Sequence, residues 1–428
     1  MQRNGSTSMK IYLPIFSHSA SSKIFNLTSE QNPGIGGTQH VTVLLASRLA
    51  KAKPKWTIYL VNYSPINILN EINNLKQISF ESLQKFCHFL SSPQEADSRA
   101  IITALLLESC ELTQLKIISD KVFCWLHHPF HFKYKLKKAN FLAYINQGAY
   151  QHASNCRFYP RCIIIQNIFA GANYPDLNNS IDSNQDFPLR LVHLGALVPD
   201  KGLLHIARQW KKIKKLYPNV QLNIIGSAST YNSWEEVHDL IPAKPSYAYK
   251  ILNYIPESDI SEGRCIFHGN LGLEKDSIIQ SSHLALQNPT GIRESFGAAT
   301  LECLSLGTPV IASGDYGMHE AMQYFPELTI QKTSQIAETI CRVCSDTNYY
   351  KELQYRSIAV AKWFSLNSDA ATWKWIRILQ AEKHSIKAEH IIYPNCDANT
   401  LKVVTTLNYR RANSLLRSSL KNAIRHYL

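Results

Sequence analysis

No stretch of this 428-residue sequence approaches the run of about 20 apolar residues that a membrane-spanning helix needs. The apolar IYLPIF near its start is too short for the core of a signal peptide, and the ten residues from Met1 to Lys10 are mostly polar. A cytoplasmic protein is the expectation. Disulfide chemistry is also missing as a pattern: ten cysteines are scattered from Cys87 to Cys396, too dispersed for a disulfide framework. Only Cys341 and Cys344 stand close, as CRVC, and no second pair lies at a spacing that would complete a zinc site. They read as helical core residues. The chain lacks an Asp-x-Asp triplet to chelate a metal-bound diphosphate. It has no internal repeat with a period of roughly 20–50 residues. No basic face interleaved with aromatics is visible, so no nucleic-acid partner is expected.

What the sequence does have is a basic excess, 45 Lys and Arg against 32 Asp and Glu, for a formal net charge of +13. That balance favours anionic partners. The basic residues cluster at 133–140, at 211–218 and in the tail 409–428, and each run taken alone reads as a solvated helix face. A hydrophobic content of 45% is ordinary for a globular chain, and the length suggests two or three domains.

Apolar, β-branched segments alternate with helical patterns along both halves. KIYLPIF (10–16), WTIYLVN (56–62), KVFCWLHHPF (121–130) and CIIIQN (162–167) read as strands of the first half. VTVLLASRLAKAK reads as a helix with Thr38 as its N-cap. An Asn- and Asp-rich stretch at 171–188 has the composition of a linker or large loop. Beyond it come strands at 189–196, 220–227, 265–270, 284–289 and 309–314, an amphipathic helix at 203–218 and a long helical pattern at 363–383. Such alternation implies parallel sheets covered on both faces, and hence two doubly wound α/β domains facing each other. Ligands of such sheets bind beyond the carboxyl ends of the strands.

One segment carries chemistry. In RESFGAATLECLSLGTPVIA (293–312), Glu302 is the single charge after the first two positions, set among Leu301, Cys303 and Leu304. A helix starting near Phe296 and Gly297 would offer free N–H groups and a partial positive charge to an anion. Glu294 lies just before that start and Glu302 further along the helix. A carboxylate accepts two hydrogen bonds and so suits vicinal hydroxyls. Taken singly, Glu294 could complement the helix dipole and Glu302 could face water. Taken jointly, the features fit a linear ligand with a diphosphate between two hydroxylated rings, as in a nucleotide sugar.

ESFGAATLECLSLGTPVIA resembles the glutamate–seven residues–glutamate motif of the family 4 (group 1) retaining glycosyltransferases, which have the GT-B fold. Phe-Gly and Gly-x-Pro-Val flank it as in that family, and the resemblance runs roughly from Lys10 to Lys383. It implies that Glu294 contacts the donor sugar, that Glu302 contacts the ribose, and that the backbone of Ser295, Phe296 and Gly297 holds the diphosphate. LGALVPDKGLLHIA resembles the family's strand–loop–helix with a phosphate-binding lysine, here Lys201. Many relatives carry an arginine after the first glycine of this loop. Here that place is Ala196, with Arg293 as the nearby substitute cation. GIGGTQH resembles the family's N-terminal glycine-rich turn, which would place Gly36 and Gly37 by the donor phosphate or transferred sugar. WLHHPF resembles the site of a histidine close to the reacting sugar, and spacing to Pro129 favours His127 over His128.

The resemblance thus implies two Rossmann-like domains facing across a cleft. Residues 1–180 would form the acceptor side and 181–362 the donor side, with a helix at 363–383 crossing back and a basic tail at 384–428. It implies a retaining, metal-independent hexosyl transfer to a glycan or lipid-linked acceptor, in polysaccharide or cell-envelope glycan synthesis, with His127, Lys201 and Glu294 as the catalytic set. The nucleotide-diphosphate sugar is the donor substrate and no further cofactor is implied. The alternatives are an inactive nucleotide-sugar binder, or a sugar-nucleotide epimerase or glycogen-type synthase on the same fold. The tail places Leu415, Leu416, Leu420 and Ile424 near one helix face. It reads either as a short helix packed on the protein or as a peripheral membrane contact beside a lipid-linked acceptor.

Overall fold

Among the described residues, the fifteen strands of the computed structural model pair only in parallel. The structure describes residues 9–127, 143–145, 162–171, 174–175, 188–230, 236–292 and 294–380. In chain order the strands are β1 (Lys10–Pro14), β2 (Ile24–Asn26), β3 (Thr57–Asn62), β4 (Asn67–Leu69), β5 (Leu75–Ser79), β6 (Arg99–Thr103), β7 (Val122–Leu126), β8 (Ala143–Ile145) and β9 (Cys162–Ile164). Then follow β10 (Arg190–Leu194), β11 (Gln221–Ile225), β12 (Cys265–Gly269), β13 (Leu284–Leu286), β14 (Val310–Ser313) and β15 (Thr329–Ile330). Contacts divide the described residues into two units: one from residues up to 170 together with the chain from 367 onward, the other from residues between 171 and 366.

In the first unit the sheet order is β5-β3-β1-β6-β7-β8-β9, with β2 and β4 forming a separate small pair. Its central strands β1, β6 and β7 are almost wholly buried because both faces are covered, whereas the edge strand β5 is largely exposed. Alternation sorts the side chains. Ile11, Leu13, Ile58, Leu60, Phe123 and Trp125 enter one core cluster, while Tyr12, Val61, Val122, Cys124 and Leu126 enter the other. The first cluster is closed by the helix Gly37–Ala52, through Val41, Leu44, Leu45 and Leu49, and by Trp375, Ile376 and Leu379 of the helix Thr347–Gln380. Ser368 ties that helix in, accepting from the Phe169 N–H at 2.8 Å and donating to the Phe169 carbonyl at 3.0 Å. The helix begins at Thr347, well before residue 363, because the polar surface of its first half left no clear apolar period to read. Thr38 is not the N-cap of Gly37–Ala52. Gly36 takes that place with extended backbone, and no side chain caps the helix.

In the second unit the order is β12-β11-β10-β13-β14-β15. Counted within each large sheet, the strands run 3-2-1-4-5-6-7 in the first and 3-2-1-4-5-6 in the second, which puts the topological switch between β1 and β6 and between β10 and β13. The expected helix over 203–218 is two, Leu203–Ala207 and Trp210–Leu216, parted at Arg208 and Gln209. Cys341 and Cys344 do lie on a helix, Ile336–Cys344, but Cys341 is exposed and Cys344 only half-buried, which corrects the core reading of the pair.

The β10–β13 ladder pairs only Leu191 with Leu284 and Val192 with Ala285. Two histidines extend it. The His283 Nδ1 accepts from the Arg190 N–H at 3.0 Å, and the His193 Nδ1, facing the Leu286 carbonyl at 2.8 Å, must donate. Burial pushes both imidazoles down to about 4, with the charges of Lys201 near His193 and Arg190 near His283 acting in the same direction. The unfolded chain protonates these rings near 6.5 while the folded chain does not. Stability should therefore be full above pH 6.5 and fall as pH drops toward 4, by up to about 2 kcal/mol per histidine at pH 5. Urea midpoints at pH 7.5 and 5 should show the fall, and His283→Gln should make it shallower. A midpoint that does not move between these pH values would contradict the staple.

Candidate active site

The loops that follow β10 and β13, on either side of the switch, carry Lys201 and Glu294. The Lys201 Nζ donates to the Glu294 Oε2 at 2.7 Å, with side-chain exposures of 24% and 16%. Asn288, at the end of β13, aligns the two loops. Its side chain is buried, and its Nδ2 donates to the Asp200 carbonyl at 3.1 Å and to the Ile292 carbonyl at 3.2 Å. Both N–H bonds of one amide thus fix the backbone beside Lys201 and the backbone beside Glu294. The sequence motif did not single out Asn288. An asparagine directly before a proline at a strand end was the available signal, and it reads as any turn.

Glu294 is followed by a tightly clamped backbone. The Gly317 N–H donates to the Glu294 carbonyl at 2.8 Å. A Cβ on Gly317 would fall 2.0 Å from the Ser295 carbonyl carbon and 2.3 Å from the Phe296 nitrogen, so only glycine lets the loop after β14 lie here. The neighbouring Tyr316 is held at φ 54°, a costly conformation for a non-glycine residue. Gly297 then caps the helix Ala298–Ser305 at φ 68°, without a side-chain cap. A Cβ at Gly297 would meet the Met318 Sδ at 3.0 Å. The left-handed backbone and the nearness of Met318 each favour glycine at this position. The Phe296 side chain is core, edge-on to Phe364 at 6.0 Å, so only its backbone is available to a ligand.

Glu302, fifth residue of the same helix, is only partly exposed, at 18%. Beside it stands Lys275, a residue the sequence reading missed: its Nζ lies 3.6 Å from the Glu302 Oε2 and 3.6 Å from the Asp276 Oδ1. Each of the two glutamates therefore has a lysine partner. Ala196 is buried and supplies no cation. Arg293 and His128 lie outside the described residues, as do the basic run at 133–140 and the tail at 384–428.

In the first unit, His127 follows β7 half-buried, its ring 4.4 Å from that of Trp125. Gly36 and Gly37 open the helix Gly37–Ala52, and a Cβ at Gly37 would meet nothing within 4 Å. Lys201, Glu294, Ser295, Phe296, Gly297 and Glu302 belong to the second unit. Among the described residues no group of three or more His, Cys, Asp or Glu is placed to hold a metal ion. Among them, too, no helix is long and apolar enough to cross a membrane.

Residues 179–359 match the family described as glycosyl transferases group 1. The matched segment holds Lys201, Lys275, Asn288, Glu294 and Glu302. The chain is 26% identical over 132 residues to the lipopolysaccharide 1,2-N-acetylglucosaminetransferase of Salmonella typhimurium, a match spanning 30% of this chain and 31% of that relative. The trehalose-6-phosphate synthase OtsA superposes with a TM-score of 0.58 at 11% identity, covering 90% of this chain and 100% of the other. Anabaena HepE in complex with UDP and glucose superposes with a TM-score of 0.53 at 15% identity, covering 87% and 99%. The fold is GT-B.

If Asn288 aligns the site as the geometry indicates, Asn288→Ala should cost about 1–3 kcal/mol, from two lost hydrogen bonds to backbone carbonyls. Asn288→Asp should be no milder despite its closer shape, because it turns a donor into an acceptor facing two carbonyls. Urea denaturation checks both. An Asp variant as stable as the parent would show that the amide donors are not what align the loops.

Proposed function

We propose that this protein is a retaining glycosyltransferase that moves a sugar from a nucleotide-diphosphate sugar to an acceptor hydroxyl. The observation that carries the reading is the Lys201–Glu294 pair, set across the β10–β13 switch and directly before an uncapped helix N-terminus. The group 1 match over the same segment supports it, as do the glucosaminetransferase relative and a fold neighbour captured with UDP and glucose.

In this reading the diphosphate lies on the N–H groups around Ser295, Phe296 and Gly297, with Lys201 over it. Glu294 accepts from the hydroxyls of the donor sugar; among the described residues its carboxylate has no other side-chain partner than Lys201. Glu302 accepts from the ribose. The bond between the anomeric carbon and the diphosphate oxygen breaks, and the acceptor oxygen bonds to that carbon on the same face. The acceptor proton passes to the departing phosphate oxygen, so no protein base is needed. Lys201 and the helix N-terminus stabilise the charge that grows on the leaving group. His127, Gly36 and Gly37 would line the sugar side. Domain closure would exclude water, since hydrolysis is the competing loss. A role in polysaccharide or cell-envelope glycan assembly, on a glycan or lipid-linked acceptor, is the biological setting we favour.

Titration with UDP-, GDP- and ADP-sugars is the direct test of the donor class. Saturable binding without turnover on any acceptor would favour an inactive nucleotide-sugar binder. Lys201→Ala should slow transfer by roughly 100-fold or more while changing donor affinity less, since its main work is on transition-state charge. Glu302→Ala should weaken donor binding by about tenfold with a smaller effect on turnover. Steady-state kinetics unchanged in both variants, with intact folding, would overturn the reading.

A further inference from the structure

The buried lysine beside Glu302 has no part in the reading above. Lys275 opens the short helix Lys275–Gln280 and is only 5% exposed, which is rare for a lysine. Its Nζ donates to the Gly272 carbonyl at 3.3 Å and lies 3.6 Å from both the Asp276 Oδ1 and the Glu302 Oε2. A buried ammonium is costly unless carboxylates or carbonyls surround it, and here they do. The three side chains sum to one net negative charge.

The arrangement matters because of what Glu302 stands among. Thr300, Leu301, Cys303 and Leu304 beside it in the helix are all buried. The Cys303 thiol is pushed up by burial and, next, by the charge of Glu302, so that carboxylate acts on apolar surroundings. A carboxylate there, with an anionic ligand arriving nearby, would be driven to turn away, and that would spoil it as a double acceptor. The Lys275 ammonium, 3.6 Å from the Oε2, opposes this by its charge.

We infer that Lys275 is a positioning residue: through Glu302 it sets the preference of this site for a nucleotide diphosphate with an intact ribose diol over one lacking the 2′- and 3′-hydroxyls. The inference rests on Glu302 meeting the ribose. A ligand without those hydroxyls has nothing for Glu302 to accept, so its affinity is indifferent to how that carboxylate is held. Asp276 lies at the same 3.6 Å from the ammonium.

The test is calorimetric titration of the full chain with whichever of UDP, GDP and ADP binds best, and with its 2′,3′-dideoxy form. The proteins are the parent, Lys275→Met, Lys275→Gln, Lys275→Arg and Glu302→Gln. The parent should prefer the ribonucleotide by about tenfold, as expected for a charge-assisted bond to a hydroxyl. Lys275→Met and Lys275→Gln should lose most of that preference through weaker binding of the ribonucleotide alone, with the dideoxy affinity unchanged. Lys275→Arg should restore part of it. A purely structural lysine would lower both affinities together, and that outcome overturns the inference. Should Lys275→Met fail to fold, Lys275→Gln and Lys275→Arg carry the comparison. A parent that shows no preference, or binds no nucleotide diphosphate, overturns the ribose reading of Glu302 itself. A parent preference that is lost in Glu302→Gln but kept in Lys275→Gln overturns only the role of Lys275.

Discussion

The ion pair of Lys201 with Glu294 is the contact on which the rest of the second unit's site depends. Its two residues sit 93 positions apart in sequence and come together because β10 and β13 are neighbours at the switch of the sheet. The β10–β13 ladder is short, and the two histidine bonds and the Asn288 amide extend and brace it. The Gly317 contact fixes the far side of the Glu294 loop. Each brace is local and modest. Together they leave one arrangement in which a half-buried ammonium and a half-buried carboxylate meet at a helix N-terminus.

Much of this was legible in the chain before any coordinates. Parallel α/β sheets announce themselves through unbroken apolar strands such as Ile11–Leu13 and Val122–Leu126, since both faces are buried. Glu294, Gly297 and Glu302 were legible because a carboxylate in an apolar helix is hard to explain otherwise. Lys275 and Asn288 were not. A lysine in LGLEKDS looks like any solvated residue, and its carboxylate partner Glu302 comes 27 positions later. Asn288 looks like a turn residue, and its donors act on two carbonyls whose nearness is a tertiary fact. The Thr38 cap failed for a related reason: Gly36 takes an extended backbone conformation and caps a helix that starts four residues before Val41, where the apolar period becomes visible. CRVC failed because its spacing on a helix says which residues share a face, and not which way that face points.

The order 3-2-1-4-5-6 recurs in both large sheets, with a seventh strand added at the edge of the first, yet the two switches are furnished differently. In the first unit the helix Gly37–Ala52 is capped by Gly36, and nothing stands within 4 Å of where a Gly37 side chain would be. In the second unit the corresponding loop carries Lys201, already engaged by Glu294. One architecture thus offers an open backbone at one switch and a charged, pre-paired site at the other. That asymmetry is what an enzyme with two unlike substrates needs, and fold alone would not supply it.

Pairing also bears on how the site would choose its ligand. The chain carries +13 overall, but Lys201 with Glu294 sums to zero, and Lys275 with Asp276 and Glu302 sums to minus one. To engage an anionic oxygen, Lys201 must loosen its bond to Glu294, and that carboxylate must then find other donors or remain partly buried without them. Sugar hydroxyls are such donors. A ligand that brings both a diphosphate and a hydroxylated ring compensates both members of the pair at once, whereas phosphate alone compensates one and strands the other. In the proposed reading, a pre-formed ion pair in this position would select for the joined ligand over its pieces, without raising the affinity for the diphosphate that must later leave.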